Sequence, residues 1–477
     1  MNIKKLVGAG VVAGLIGASS TFLGLQVYTQ LDNVLGQSNN GISTVNIPSS
    51  QTPLITASPT PKPTPHPYST RLDQLFGNLP EYNTGLNYYY SRISELEQEL
   101  LRGYTDPNIK EELAWDHLMV HTNAFVRGVY VLGWAPEAYT TVDLDTMLDK
   151  IRDDYHANTV VFLTTVENEG TQFFKTGPAD NSLQYAVGKA REHGLVPGIR
   201  IQIDPTAAES ARLGTNWRAS IGEYFGEAEW AEWLRNLKNT GMDYVNFAHA
   251  NNVPLLVMFD EMRVAQQRPE FAGLLKELEH SYDGVMTYQP NFDDTQDFGL
   301  FVNGTNSYSP ARNQLAARRG DTTPFDQASA IRQFTGAEFE QSTGSFIPSP
   351  FQQTLSTIFT GKQYSLLTET GSNNSNSAYP FGCLFPGGLV ETIPSFTDEQ
   401  MNYYRTTATV FSKLANEGRV HGAIFWGVMG QPEQQLYCAS DFRITPESGA
   451  VLKQFFDDPF HFGVEYWDIV AESGILP

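Results

Sequence analysis

The chain has 477 residues, 41% of them hydrophobic and 12% aromatic, which excludes a disordered chain and favours one large core over several small ones. Its formal net charge of -22 excludes a polyanionic partner, because nucleic-acid binding rests on Lys and Arg displacing counterions from phosphates. A neutral or weakly charged substrate fits better.

In chain order, Met1 to Lys5 is basic, and the uncharged stretch "LVGAGVVAGLIGASSTFLGL", Leu6–Leu25, approaches the roughly 20 residues that cross a bilayer as a helix. Residues 1–30 read as a signal peptide cleaved near "GASS", Gly17–Ser20, or as an uncleaved membrane anchor. The apolar run continues past "GASS", which favours the anchor. Lys4 and Lys5 then stay inside, and everything downstream is extracellular or at the cell surface. Residues 31–70 form a linker, whose segment Ser49–Thr70 is too rich in Pro, Thr and Ser to pack a core and is expected to be extended. Residues 71–120 have helical spacing, as in "YYYSRISELEQELLRGY", and read as a helical lead-in broken at Asp106 and Pro107.

Residues 121–460 carry about eight short β-like runs, the number a (β/α)8 TIM barrel requires, before a C-terminal tail at 461–477. The runs are "FVRGVYVL" from Phe125, "TVVFLTTV" from Thr159, "LVPGIRIQI" from Leu195, "VPLLVMF" from Val253, "GVMTY" from Gly284, "GLFV" from Gly299, "YSLLT" from Tyr364 and "HGAIFWGV" from His421. Amphipathic segments such as "LDTMLDKIRDDYHA", "SLQYAVGKAREHG" and "EQMNYYRTTATVFSKLANEG" lie between them, which predicts a parallel sheet covered by helices. Only "QPNFDDTQDF" joins the fifth run to the sixth, too little for a crossover helix. Ser309 to Gly361 is correspondingly long and is expected to fold over one face as a loop with one or two short helices. Trp230 and Trp233, at helix spacing with Leu234 and Leu237, are expected in the core.

Barrel enzymes place their chemistry at the C-terminal ends of strands. Here those ends carry Trp134; Glu167; Gln202 and Asp204; Asp260 and Glu261; Tyr288; Asn306 and Tyr308; Glu369; and Trp426. Trp217 joins them from a loop after the third strand. Rings suit the apolar faces of pyranoses, and amides and acids suit their hydroxyls, so this set predicts a sugar cleft. The chain has no phosphate loop, no Zn or Ca2+ motif, no H-E-x-x-H pair and no G-x-S-x-G elbow, so neither a metal nor another cofactor is expected. Oxidation is open to an exported chain, and Cys383 and Cys438, on loops after the seventh and eighth strands, are expected to form a disulfide.

The blocks "NTVVFLTTVENEG", "REHGLVPGIRIQIDP", "DYVNFAHANNVPLLVMFDEM", "YDGVMTYQPNFDD", "LLTETG" and "QMNYYRTTATVFSKLANEGRVHGAIFWGV" resemble those of glycoside hydrolase family 113, a clan A barrel family related to β-mannanases. The resemblance implies a general acid/base Glu at the end of the fourth strand and a nucleophilic Glu at the end of the seventh, here Glu261 and Glu369. Family members usually carry small or amide residues where this chain has Phe259 and Asp260. An anionic Asp260 beside Glu261 would raise the pKa of the acid.

Cleavage of a glycosidic bond needs such a pair, one carboxyl to protonate the leaving oxygen and one carboxylate to attack the anomeric carbon. The sequence therefore predicts an exported retaining glycosidase acting on β-mannan or another β-glycan, with a polysaccharide or oligosaccharide as its partner and the membrane as a second one if the N-terminus is uncleaved. A catalytically silent barrel binding surface polysaccharide, and a structural surface domain on its stalk, are the alternatives.

Overall fold

Leu255–Asp260 is a strand with every side chain buried, and such a strand needs cover on both faces. A barrel provides it, with one face turned to the lumen and the other to a ring of helices. The computed structural model describes residues 66–104, 106, 108–215, 217–291, 297–308, 338–340, 345–347, 364–371, 397–429, 444 and 446–472. Among them, eight parallel barrel strands run β1 Val126–Leu132, β2 Thr159–Glu169, β3 Val196–Pro205, β4 Leu255–Asp260, β5 Val285–Gln289, β6 Val302–Tyr308, β7 Tyr364–Gly371 and β8 Gly422–Met429. Their ladder order is β5-β4-β3-β2-β1-β8-β7-β6, leaving one seam between β5 and β6. There Thr287 Oγ1 donates to Val302 O at 3.1 Å. The backbones approach so closely that a Cβ on Gly304 would lie 2.0 Å from Tyr288 O, so the seam needs glycine at this position. The result is a nearly closed (β/α)8 barrel.

The helices that pack outside the barrel are α4 Leu144–Asp149, α5 Asp180–Glu192, α7 Glu227–Ala250, α9 Pro269–His280, α10 Thr397–Asn416 and α11 Pro446–Asp457. The short helices α6 Ala207–Leu213 and α8 Arg263–Gln266 lie after β3 and β4. Helix α7 buries Trp230, Trp233, Leu237, Gly241, Tyr244, Val245 and Ala248, a stripe at helix spacing that meets the outward residues Ile199, Ile201, Leu256 and Met258. No helix joins β5 to β6 among the described residues, as the short connection requires.

The lead-in forms three helices, α1 Pro67–Phe76, α2 Asn87–Leu101 and α3 Ile109–His121. Its Leu72, Leu75, Leu113, Trp115 and Leu118 share one core with Val126, Leu255, Val285, Val302 and Tyr364, each of which starts a barrel strand. The lead-in is therefore the floor of the barrel.

The structure differs from expectation in four places. Helix α1 begins at Pro67, inside the segment read as linker, because Pro suits the first helical position and His66 Nδ1 accepts from Tyr68 N at 3.2 Å. The sixth strand lies at Val302–Tyr308 and not at "GLFV", since its body is polar and is satisfied inside the sheet: Thr305 Oγ1 donates to Leu366 O at 3.2 Å, and Thr305 O accepts from Thr368 Oγ1 at 2.7 Å. Gln172–Lys175 folds back antiparallel on the end of β2, an unforeseen extension of the sheet. Within the segment read as a tail, Trp467–Glu472 is helix α12, with Val470 fully buried.

Among the described residues no helix is long and apolar enough to cross a membrane. The segment Leu6–Leu25, Cys383 and Cys438 lie outside the described residues, as does most of 309–361.

Candidate active site

Side chains alternate along the strands, so Arg200, Gln202 and Asp204 on β3 face the lumen while Ile199, Ile201 and Ile203 face the helices. Strand β4 breaks this rule at its end. Its pairing with β5 shifts register between Val257 and Asp260, and Phe259 takes a φ of 63°, which turns its ring outward against Gly241 of α7. Glu261 follows with a φ of 49°, its N–H held by Gln289 O at 2.8 Å. Left-handed kinks at Phe259 and Glu261, on either side of Asp260, bring two neighbouring carboxylates to the same guanidinium.

That guanidinium belongs to Arg218, on the 3-10 turn Arg218–Ser220 between α6 and α7. Its Nη1 lies 2.8 Å from Glu261 Oε2 and 3.1 Å from Asp260 Oδ2, and its Nη2 lies 2.7 Å from Asp204 Oδ1. Gln202 Nε2 donates to Asp204 Oδ2 at 2.7 Å. Deeper in the lumen, Arg200 donates from Nη2 to Asp260 Oδ2 and from Nη1 to Glu369 Oε2. Gln289 Nε2 also donates to Glu369 Oε2. A continuous chain of opposite charges thus runs from Glu261 through Arg218, Asp260 and Arg200 to Glu369. Glu261 is 9% exposed and Glu369 3%, so these pairs act in a poorly screened interior.

Burial is the main force raising the Glu261 carboxyl, opposed by Arg218 and Arg200 and reinforced by the charges of Glu369 and Asp260, and it stands at about 7. A carboxylic acid poised there can hold a proton near neutrality and release it. Arg200 in turn lies against an aromatic wall, its guanidinium carbon 4.9 Å from the Trp426 ring and 5.2 Å from the Tyr130 ring.

The predicted site residues divide. Glu261, Glu369, Asp260, Asp204, Gln202 and Trp426 come together as described. Trp134 is partly buried against the same cluster as Tyr130 and Trp426, and Glu167 is half-buried opposite Asp204 in the ladder. Trp217 stands beside Arg218, its ring 5.2 Å from the Arg263 guanidinium carbon. Asn306 and Tyr308 have backbones paired with Glu369 and Gly371 of β7.

Tyr288 is a correction. It faces outward, packed on Phe271 and Phe298, because strand alternation gives the inward place to Gln289. Its hydroxyl donates to Gln266 Oε1 and accepts from Met262 N at 3.0 Å, so it braces the backbone next to Glu261 from behind.

Sequence reasoning missed Arg200, Arg218 and Tyr130. Arg200 had a signal, since a lone charge inside "PGIRIQI" at the parity of Gln202 and Asp204 has to face the lumen. Arg218 had none, because nothing in a loop sequence fixes where a long side chain reaches.

Residues 125–302 match the sequence model of Glycoside Hydrolase Family 113. The match to family 113 spans β1 to the start of β6 and includes Glu261, and it supports a glycoside hydrolase. Glu369 lies beyond it, so its place in the site rests on the geometry above. Two solved structures share the fold, each with a TM-score of 0.50, covering 70% of this chain and 99% of their own. One is a complex of a GH113 beta-1,4-mannanase at 16% identity and the other a GH113 beta-1,4-mannanase at 17%. No curated protein matches the chain.

Proposed function

We propose that the protein is an exported, retaining glycoside hydrolase that cleaves a β-linked polysaccharide, β-mannan or a related β-glycan, by double displacement. The observation that carries this reading is the pair Glu261 and Glu369, buried at two strand ends of one barrel mouth and tied into one charge chain. Glu369, held by Arg200 and Gln289, attacks the anomeric carbon as the glycosidic C–O bond breaks, and Glu261 gives its proton to the leaving oxygen. Water then attacks the glycosyl-enzyme bond, Glu261 takes the water's proton, and Glu369 is released as carboxylate. Among the described residues, Gln289 Oε1 and both polar atoms of Asn291 are buried without a hydrogen-bond partner, which suits acceptors and donors for sugar hydroxyls. The two solved mannanases favour β-mannan as the first substrate to try.

A reducing-sugar assay over a panel of β-glycans tests the activity, and glycan binding without turnover would leave a silent binding barrel in its place. Glu369→Gln should abolish turnover of every substrate. Glu261→Ala should spare an activated aryl glycoside far more than a natural glycan, and azide should accelerate that variant and yield a glycosyl azide of unchanged anomeric configuration. An inverted first product from the unaltered protein would refute retention. Export through Leu6–Leu25 is tested by fractionation: recovery with membranes supports the anchor, and a soluble form beginning near Ser19 a cleaved signal.

A further inference from the structure

We propose that Arg218 is the positioning residue of the acid/base, fixing the Glu261 carboxyl in place and governing its protonation. The inference rests on the reading of Glu261 as acid/base and adds a residue to it. Arg218 is not a surface cation that happens to lie near an acid. Its side chain is 15% exposed, and its Nη1 bridges Asp260 and Glu261 while Nη2 and Nε both hold Asp204 Oδ1, at 2.7 and 2.9 Å. A guanidinium gripped along one edge by Asp204 presents its remaining nitrogen in a fixed direction, which a flexible ammonium would not do.

The loop that carries it is anchored on both sides. Before Arg218, the Trp217 ring stands against the Arg263 guanidinium of α8, two residues beyond Glu261. After it, Ala219 and Ile221 are buried, and Gly222, at a φ of 90°, touches Trp230 so closely that a Cβ would lie 2.3 Å from the ring. Loop and acid are thereby held to the same two helices, α7 and α8. Among the described residues, the charges that act on Glu261 include Arg218 from this loop, Arg200 from β3, Asp260 from β4 and Glu369 from β7, while Asp204 of β3 grips Arg218. Arg218 is a cation in direct contact with Glu261, so it opposes the push of burial and of the neighbouring carboxylates. Without it Glu261 would keep its proton too firmly to act as base in the second step, and its carboxyl would lose the contact that aims it.

The test is the pH dependence of kcat/KM on β-1,4-mannohexaose, whose basic limb reports loss of the proton from the acid/base in the free enzyme. Arg218→Met should move that limb to higher pH by about one unit, the lower end of what an adjacent opposite charge is worth, and should lower kcat/KM on the hexaose. Arg218→Lys should return the limb towards its original position while restoring only part of the rate. Asp204→Asn, which removes a negative charge and frees Arg218 towards Glu261, should move the limb the other way, and it keeps the proposal testable if Arg218→Met does not fold. Loss of rate at every pH with the limb unmoved in both Arg218→Met and Asp204→Asn would overturn the proposal and leave Arg218 a structural tie. Glu261→Ala, measured alongside, separates the two readings. If it retains hexaose hydrolysis, the acid/base assignment falls and this proposal with it; if it loses hydrolysis while the Arg218→Met limb stays in place, only the role of Arg218 falls.

Discussion

Asp260 shows how one side chain serves two others. It is fully buried, and its Oδ2 is shared by Arg200 and Arg218, so it is the anion that lets two guanidiniums sit side by side in the lumen. Removing one partner of a buried ion pair leaves the other charge without compensation, and for Asp260→Asn we expect a loss of about 3 kcal/mol, measurable by urea unfolding. The same substitution removes a negative charge that helps to raise Glu261, so the basic limb of kcat/KM should move to lower pH, opposite to Arg218→Met. A variant as stable as the parent with an unmoved limb would show that Asp260 is not the link between the two arginines. The sequence put Asp260 and Glu261 together and predicted the raised carboxyl. It did not reveal the kink at Phe259 that turns both acids to one side, because a left-handed φ at a bulky residue is imposed by packing, here against Gly241.

At the scale of elements, legibility followed hydrophobic pattern. Strands β1 to β5, β7 and β8 were readable because apolar runs ended in polar groups, and α7 because its tryptophans repeat at helix spacing. Strand β6 was misplaced because its body, Asn303 to Thr305, is buried without being apolar, with Thr305 bonded across to β7, which no hydropathy pattern displays. Helix α3 hides another feature of this kind. His117 is 1% exposed, neither ring nitrogen has a hydrogen-bond partner among the described residues, and it lies near Phe76 and His121. Burial pushes His117 down to about 3 and His121 to about 4. With folded values below the ordinary histidine value of 6.5, the unfolded chain takes up protons that the folded chain refuses. Their contribution is fully present above that value and is lost as pH falls from it towards 4 and 3. His117→Leu should therefore stabilise the protein at pH 5 by roughly 2 kcal/mol more than at pH 7, at about 1.4 kcal/mol per pH unit. Equal effects at the two pH values, read by urea unfolding, would show that His117 is not the acid-sensitive group.

For the whole molecule, the decisive feature is the floor beneath the barrel. A barrel whose mouth gathers six charged side chains, Arg200, Asp204, Arg218, Asp260, Glu261 and Glu369, needs an apolar lower lumen, and here that lower core is completed by the lead-in. The union is also polar: Tyr68 Oη donates to Asp283 O at 2.9 Å, Arg71 Nη2 to His249 O at 2.9 Å, and Arg191 Nη2 to Leu75 O at 2.6 Å. These bonds grip the end of α7 ahead of β4, the loop that enters β5 and the helix that precedes β3. Removing residues 66–121 would expose the first lumen side chains, Val126, Leu255, Val285, Val302, Tyr364 and Leu366. Full exposure of such a side chain costs roughly 1.5–3 kcal/mol. Even half of that over six positions rivals the 5–15 kcal/mol, roughly, that holds a domain folded. A variant lacking 66–121 should therefore lose its near-ultraviolet circular dichroism, bind a hydrophobic dye and show no cooperative melt, although every residue of the charge chain is still present. A cooperative melt within a few degrees of the full chain would mean that the barrel closes its own floor and that the lead-in serves another purpose.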